Sequence, residues 1–473
     1  MPAKIDINED LLFATIRELG GHIRAQRLSP VALTEAYLGR LEKIGPKLNA
    51  LVTSMRQPAL KEARQAEKEI KTGHYRGPLH GIPYGVKDLL ATKGVPTTWG
   101  AQPYRDQIFD YDAAVIERLR DAGAILIGKL AMVELAGGLG YNSADASFTG
   151  PGKTPWNSKF WSGGSSSGSG AAVAAGLVAF AIGSETSGSI ITPAAYCGIS
   201  GLRPTYGRVS RFGAMALSWT LDKLGPMCRS ADDCGLVLAA IAGRDKRDPS
   251  TSTRKFSFPS PPAKNDKFKV GIIKDCTERT QDEVKRNFEE SVRVLRQFAD
   301  IDEDVSLPDL PFGPVVGTIV DAEGASAFRD LIESGKCRQL KNAKDKWGGY
   351  PGSVILAVDY LQAMRLRTRM KKEMDKLYSR YDALIAPSRA TVAYPIGVEF
   401  SKAYPGKYGG PPVIPAGNAV GQPAISVPNG FGANGLPTGI QFTGRIWSEA
   451  MLLALANAYQ QRTDWHKKRP PLR

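Results

Sequence analysis

Cysteine and histidine are scarce in this chain, and that scarcity removes several kinds of chemistry. Five cysteines occur in 473 residues (Cys197, Cys228, Cys234, Cys276 and Cys337), an odd number with no Cys-x-x-Cys pair. Such usage builds neither a disulfide framework nor a zinc cage, and it fits a reducing compartment. The four histidines are scattered, with no His-Glu-x-x-His motif, so no metal site is expected. A Ser-His-Asp triad needs a well-placed histidine. Only His80, in Pro78-Leu79-His80-Gly81, lies near an apolar segment, and a lone histidine there reads as structural. The Gly-x-Ser-x-Gly elbow is also missing in its usual setting. No long hydrophobic run exists: the longest, Ala171 to Ile182, is about half of what crosses a bilayer. Met1 to Leu12 is polar and acidic, without a basic start and apolar run. Neither a secretory leader nor a membrane partner is therefore expected, and the reading is a cytoplasmic protein.

Negative charge is in short supply too: the formal net charge is +15. The densest basic clusters, Arg365 to Lys372 and His466 to Arg473, lack the interleaved aromatics of a single-strand binder. The charge reads as a solubilising surface rather than a nucleic-acid interface. The first cluster alternates with Leu and Met at helical spacing and predicts one face of a surface helix.

What is present is an ordinary globular composition, 42% hydrophobic and 23% charged. Ile7 to Ile44 carries helical spacing interrupted at Ser29-Pro30, a serviceable N-cap and first helical residue. Pro58 to Thr72 predicts a charged amphipathic helix. Gly77 to Val86 predicts a buried strand and turn, Ala113 to Ala122 a helix, and Ala124 to Gly128 a short buried strand. This alternation continues and predicts an α/β fold. Asp245 to Asp266 is polar and rich in Pro and Ser, an excursion after which Phe268 to Ile273 resumes as a strand.

Three segments carry candidate chemistry. Lys87 ends a wholly uncharged run, Gly81-Ile82-Pro83-Tyr84-Gly85-Val86-Lys87, so its side chain is expected to be partly buried. Burial favours a neutral amine, and a drop from ~10.4 to neutrality is ~3 pH units, or ~4 kcal/mol. Pairing with Asp88 would be the plainer use of this lysine. The second segment, Gly163-Gly164-Ser165-Ser166-Ser167-Gly168-Ser169-Gly170, enters the apolar run at Ala171 and so is more than a flexible linker. The third, Gly183-Ser184-Glu185-Thr186-Ser187-Gly188-Ser189, is a Gly/Ser turn between apolar runs. Successive N–H groups of such a turn can converge on an oxyanion. Gly152-Lys153-Thr154 imitates the end of a phosphate-binding loop, but Ser147 stands where that loop needs Gly and Pro155 obstructs the following helix.

Together the three segments resemble the amidase signature family. Ser165 and Ser189 lie 24 residues apart, the family's spacing. The likeness extends through Thr154-Pro155-Trp156-Asn157, Cys197 to Arg208, Asp222-Lys223-Leu224-Gly225-Pro226 and Gly435 to Gln441. The resemblance implies one large α/β domain, with a central mixed twisted sheet covered by helices on both faces. Residues 1–75 would form a helical N-terminal part, 76–245 the catalytic core, 246–266 a surface excursion, and 267–473 the remainder of sheet and pocket. It implies Ser189 as nucleophile, Ser165 as bridging serine after a cis peptide bond, and Lys87 as general base. Thr186, Ser187, Gly188 and Ser189 would form the oxyanion hole, and Ala136, Gly137 and Gly138 would line the acyl side of the pocket. No metal or organic cofactor is implied.

Two departures bear on substrate. Ser187 stands where the family has Gly, and Ile191 where it has Arg; the stretch 137–152 also differs from its counterpart in the tRNA amidotransferases. The expectation is a hydrolase of linear amides, carbamates or esters, acting as a monomer or homodimer on a small molecule. The alternative is a glutamine-hydrolysing A-type subunit of a tRNA-dependent amidotransferase. The pocket is expected from Ala136 to Asn142 and from segments near Tyr360, Tyr394 and Ile414 to Gly417. Their apolar character favours a neutral or aryl substrate.

Overall fold

Apolar residues three and four apart place Leu33, Tyr37, Leu38 and Leu41 on one side of helix Pro30–Ile44, and all four are fully buried. Ser29 caps this helix by accepting from Ala32 N (3.1 Å), and Pro30 occupies its first turn. The computed structural model describes residues 5–258, 267–407 and 411–472. The expected charged helix is Arg56–Lys71, and the next expected helix is Ala114–Asp121.

Eleven strands form one sheet: β1 Leu51–Ser54, β2 Pro83–Lys87, β3 Ile125–Leu130, β4 Phe180–Glu185, β5 Ser200–Arg203, β6 Lys223–Cys228, β7 Phe268–Ile273, β8 Ala299–Val305, β9 Ala383–Pro387, β10 Ala424–Phe431 and β11 Pro437–Thr443. Their order is β1-β3-β2-β4-β6-β5-β10-β11-β9-β7-β8. The sheet is mixed: β2 runs parallel to β3 and β4, and β7 parallel to β8 and β9, while the remaining pairs are antiparallel. Every residue of β2, β3, β4, β5, β6, β9 and β11 is buried. Strands buried on both sides need helices over both faces, in keeping with the expected single-domain α/β architecture.

Three local readings change. The N-terminal part is not wholly helical, because Leu51–Ser54 adds an antiparallel edge strand beside β3. Arg367, in the basic cluster expected on a helix surface, turns inward from helix Ala357–Tyr378 and donates to the carbonyls of Ala419 (2.7 Å) and Thr220 (3.2 Å). The long aliphatic stem of Arg can bury while its guanidinium finds carbonyls. Residues 259–266 of the expected excursion lie outside the described residues. The described part is strapped down: Arg211 N donates to Asp248 Oδ2 (2.8 Å) and Ser252 N to Gly207 O (2.9 Å).

Parallel pairing brings two strand ends together. Tyr84, Gly85 and Val86 of β2 lie beside Phe180, Ala181 and Ile182 of β4. The C-terminal ends of both strands, Lys87 and Ser184-Glu185, therefore emerge side by side. Crevices at the carboxyl ends of such strands are where α/β sheets build sites.

Candidate active site

Lys87 closes β2 with no exposure to solvent. Its Nζ lies 2.6 Å from Ser165 Oγ and 2.9 Å from Ser184 Oγ. Burial is the largest influence on this amine; the charges of Asp222 and Glu185 only partly oppose it, and its pKa falls to about 7. The obvious partner in the chain, Asp88, is taken elsewhere. Asp88 Oδ1 sits 3.2 Å from Lys129 Nζ, and Oδ2 accepts from Thr98 N (3.0 Å) and the Thr98 hydroxyl (2.5 Å). One buried lysine is thus paired, and its neighbour is left among hydroxyls.

Ser165 follows a cis Gly164–Ser165 bond and precedes helix Ser167–Ala174, every residue of which is buried. Gly168 lets that helix press on the backbone just beyond β3: an added Cβ would meet Ala131 N at 2.4 Å. Ser166 N donates to Ser189 O (3.2 Å), which stitches the second segment to the third. The Ser189 hydroxyl makes no hydrogen bond among the described residues.

The turn from 186 to 189 is held from behind. Glu185 Oε2 accepts from Ile190 N (2.9 Å) and Ile191 N (3.1 Å); Oε1 accepts from Arg203 (2.8 Å) and Asn418 Nδ2 (2.9 Å). Burial pushes the Glu185 carboxyl up. The charges of Arg203 and Lys223, with hydrogen bonds from Arg203 and Asn418, outweigh it and leave the pKa at about 2. Thr186 Oγ1 donates to Asp222 Oδ1 (2.6 Å), and Asp222 Oδ2 accepts from Leu217 N and Ser218 N (2.9 Å each). With these anchors in place, no hydrogen bond among the described residues occupies the N–H groups of 186 to 189. Gly188 has φ +89°, a left-handed geometry suited to Gly. Ser187 does not, and its side chain is exposed, so its Cβ is tolerated beside the turn.

Glu185→Gln tests this clamp. It would leave Arg203 buried without its counter-charge, at a cost of about 3–5 kcal/mol, seen as a lowered urea midpoint. Because the native carboxyl titrates at about 2 rather than 4.5, its contribution is intact above pH 4.5 and is lost as pH falls through about 2.

Two cavities flank the turn. One, of about 190 Å³, is lined by Ala136, Ser184, Thr186, Leu217 and Asp222, with Phe212 and Trp219 among its further walls. Of the three residues expected at the acyl side, Ala136 reaches it. Gly137 packs under the Tyr141 ring, and the space beside Gly138 is filled by Leu217 and Phe328. A second cavity, of about 570 Å³, includes Tyr394, Ile414 and Pro415. Ile414 also borders the turn, since a Cβ on Gly188 would meet its Cγ2 at 3.4 Å. Tyr360 lines neither; its hydroxyl donates to Glu323 Oε1 (2.8 Å). The apolar reading of the pocket also missed Arg389 and Lys407, both in the larger cavity.

His80 is structural: its Nδ1 accepts from Arg76 N (3.1 Å) and Nε2 lies 3.3 Å from Glu69. Lys153 pairs with Trp161 in a β-bridge and begins no helix. All five cysteines are free thiols, and among the described residues no helix is long and apolar enough to cross a membrane. Sequence reasoning overlooked Ser184, Asp222, Arg203 and Asn418. The first three stand in motifs that carried the resemblance, but their roles depend on contacts with residues between 18 and 97 positions away.

Residues 32–453 match the family model described as Amidase. The A subunit of glutamyl-tRNA(Gln) amidotransferase from Carboxydothermus hydrogenoformans is 34% identical over 98% of this chain and its own full length. That of Methylococcus capsulatus is 36% identical over 96% of this chain and 98% of its own. The native peptide amidase of Stenotrophomonas maltophilia superposes with a TM-score of 0.83 at 30% identity, covering 97% of this chain and 98% of the other.

Proposed function

Since the chain belongs to the amidase signature family, we propose that it hydrolyses the C–N bond of an amide through an acyl-enzyme on Ser189. Neutral Lys87 takes a proton from Ser165 as Ser165 takes one from Ser189. Ser189 Oγ bonds to the carbonyl carbon, and the resulting oxyanion accepts from the N–H groups of 186 to 189. One such donor contributes about 3–4 kcal/mol of barrier lowering. The Ser165 hydroxyl then protonates the nitrogen while the Lys87 ammonium returns its proton to Ser165, the C–N bond breaks, and the amine leaves. Water then bonds to the acyl carbon as its proton passes through Ser165 to Lys87; that proton returns to Ser189 Oγ as its bond to the acyl carbon breaks, releasing the carboxylic acid and regenerating neutral Lys87. Carbamates and esters fit the same steps.

The observation that carries this reading is the buried Lys87 amine, within 2.6 Å of Ser165 and depressed to about 7. A lysine serves as base only when its environment keeps it neutral.

A second reading is favoured by the whole-length likeness to the amidotransferase relatives. Glutamine would then be the amide, and the chain would act with protein partners and a tRNA-dependent acceptor. The test is an amide panel (aryl amides, aliphatic amides, carbamates and glutamine), with fluorophosphonate capture read by mass spectrometry and gel filtration of the lone chain. An adduct on Ser189 with turnover of simple amides supports the first reading. Glutaminase activity that needs added partner proteins supports the second, and absence of any adduct refutes both.

A further inference from the structure

The larger cavity beside the Ser189 turn has an unusual charge balance. Among the described residues its lining contains Arg389 and Lys407 but no aspartate or glutamate. Arg389 follows β9, and its Nε is buried without a hydrogen-bond partner. The guanidinium interacts with the side chains of Tyr196 and Tyr394, which hydrogen-bond to it, and among the described residues it forms no ion pair. Among the described residues the one ion pair of Lys407 is with Asp282, at 4.0 Å. A buried guanidinium N–H left without an acceptor is costly, and a planar fork of this kind matches a carboxylate. Gln441, also in the lining, has its Oε1 buried without a partner among the described residues, while its Nε2 donates to Pro387 O (3.3 Å). Ile414 forms a wall common to this cavity and to the nucleophile turn. Tyr196, beside Arg389, lies on helix Ile191–Cys197, which Ile190 separates from Ser189.

We propose that this cavity receives a carboxylate carried by the substrate, bound by Arg389, so that the enzyme's substrates are monoamides of dicarboxylic acids. The inference rests on Ser189 as the nucleophile. It also separates this class from glutamine. An α-ammonium group would enter a lining that holds two cations and no carboxylate, whereas a simple monoamide places only negative charge there.

The test compares wild type, Arg389→Gln and Arg389→Lys on paired substrates: succinamate and glutaramate, the neutral diamides of the same lengths, and glutamine. Wild type is expected to prefer the monoamides in kcat/KM. In Arg389→Gln the ratio of monoamide to diamide kcat/KM falls by about 100-fold, the usual scale for losing a charged hydrogen-bond partner. Arg389→Lys recovers part of it. Equal losses on both substrate types, a wild-type preference for the diamides, or glutamine outpacing glutaramate would each overturn the proposal.

A measurement free of turnover guards against a folding defect. Ser189→Ala protein is titrated calorimetrically with succinate and glutarate, and the titration is repeated after adding Lys407→Gln. Binding that weakens with the second change supports the site; no binding by Ser189→Ala protein removes it. Should fluorophosphonate fail to label wild type, the assignment of the nucleophile falls while this titration still reports on the cavity.

Discussion

Ser189→Ala protein is expected to lose turnover by a factor on the order of 10⁴–10⁶, with its fold and melting temperature unchanged. The hydroxyl carries no hydrogen bond among the described residues, so its removal leaves no partner stranded. The turn is held by other contacts: Glu185 on Ile190 N and Ile191 N, and Ser166 N on the carbonyl of residue 189. A covalent step cannot proceed without the attacking oxygen, and on the proposed mechanism the N–H groups of 186 to 189 would then have only a weak attack by water to stabilise. The check is steady-state turnover of the best amide together with intact mass. Wild type should gain one fluorophosphonate adduct and the variant none. Activity retained in purified Ser189→Ala protein would refute the nucleophile.

Lys87→Met is expected to lower kcat by about 10²–10⁴-fold without lowering the melting temperature. The amine is fully buried and its pKa drops from 10.5 to about 7. A lowered amine pKa opposes folding: below about pH 7 the full cost applies, about 5 kcal/mol for a drop of this size, and it shrinks as pH rises toward 10.5. Methionine removes that cost, although Ser165 and Ser184 lose a partner, so stability holds while rate collapses. The pH profile carries the same signature. Wild-type kcat/KM should rise with pH through about 7, as the amine loses its proton, and then level off. A profile flat from about pH 5 to 9, or a Lys87→Met enzyme with wild-type rate, would remove the lysine from the relay.

The legible parts of this protein were those controlled by near neighbours in the chain. Ser29-Pro30 reads as a helix start because a cap and a fixed φ act within one turn. Phe268 to Ile273 reads as a strand because its apolar run follows a polar stretch. The Gly/Ser stretches around Ser165 and Ser189 read as tight turns because small residues permit them. The edge strand Leu51–Ser54 was missed because a four-residue run has little pattern of its own, and its pairing with β3 is a long-range event.

Charges divide along the same line. Residue types, spacing and family likeness were sufficient to nominate Lys87, Ser165 and Ser189. They did not show that Asp88 would turn to Lys129, that Glu185 would be matched by Arg203, or that Arg367 would find carbonyls. Nor did they show that Arg389 would face a cavity whose described lining holds no carboxylate. Desolvation and Coulomb energy depend on distance in space and on what has been excluded from it. Which cation is paired with a carboxylate, which has its pKa pulled down by burial and which meets only hydroxyls therefore depended on how β2, β4, β9 and the loops beyond them came together.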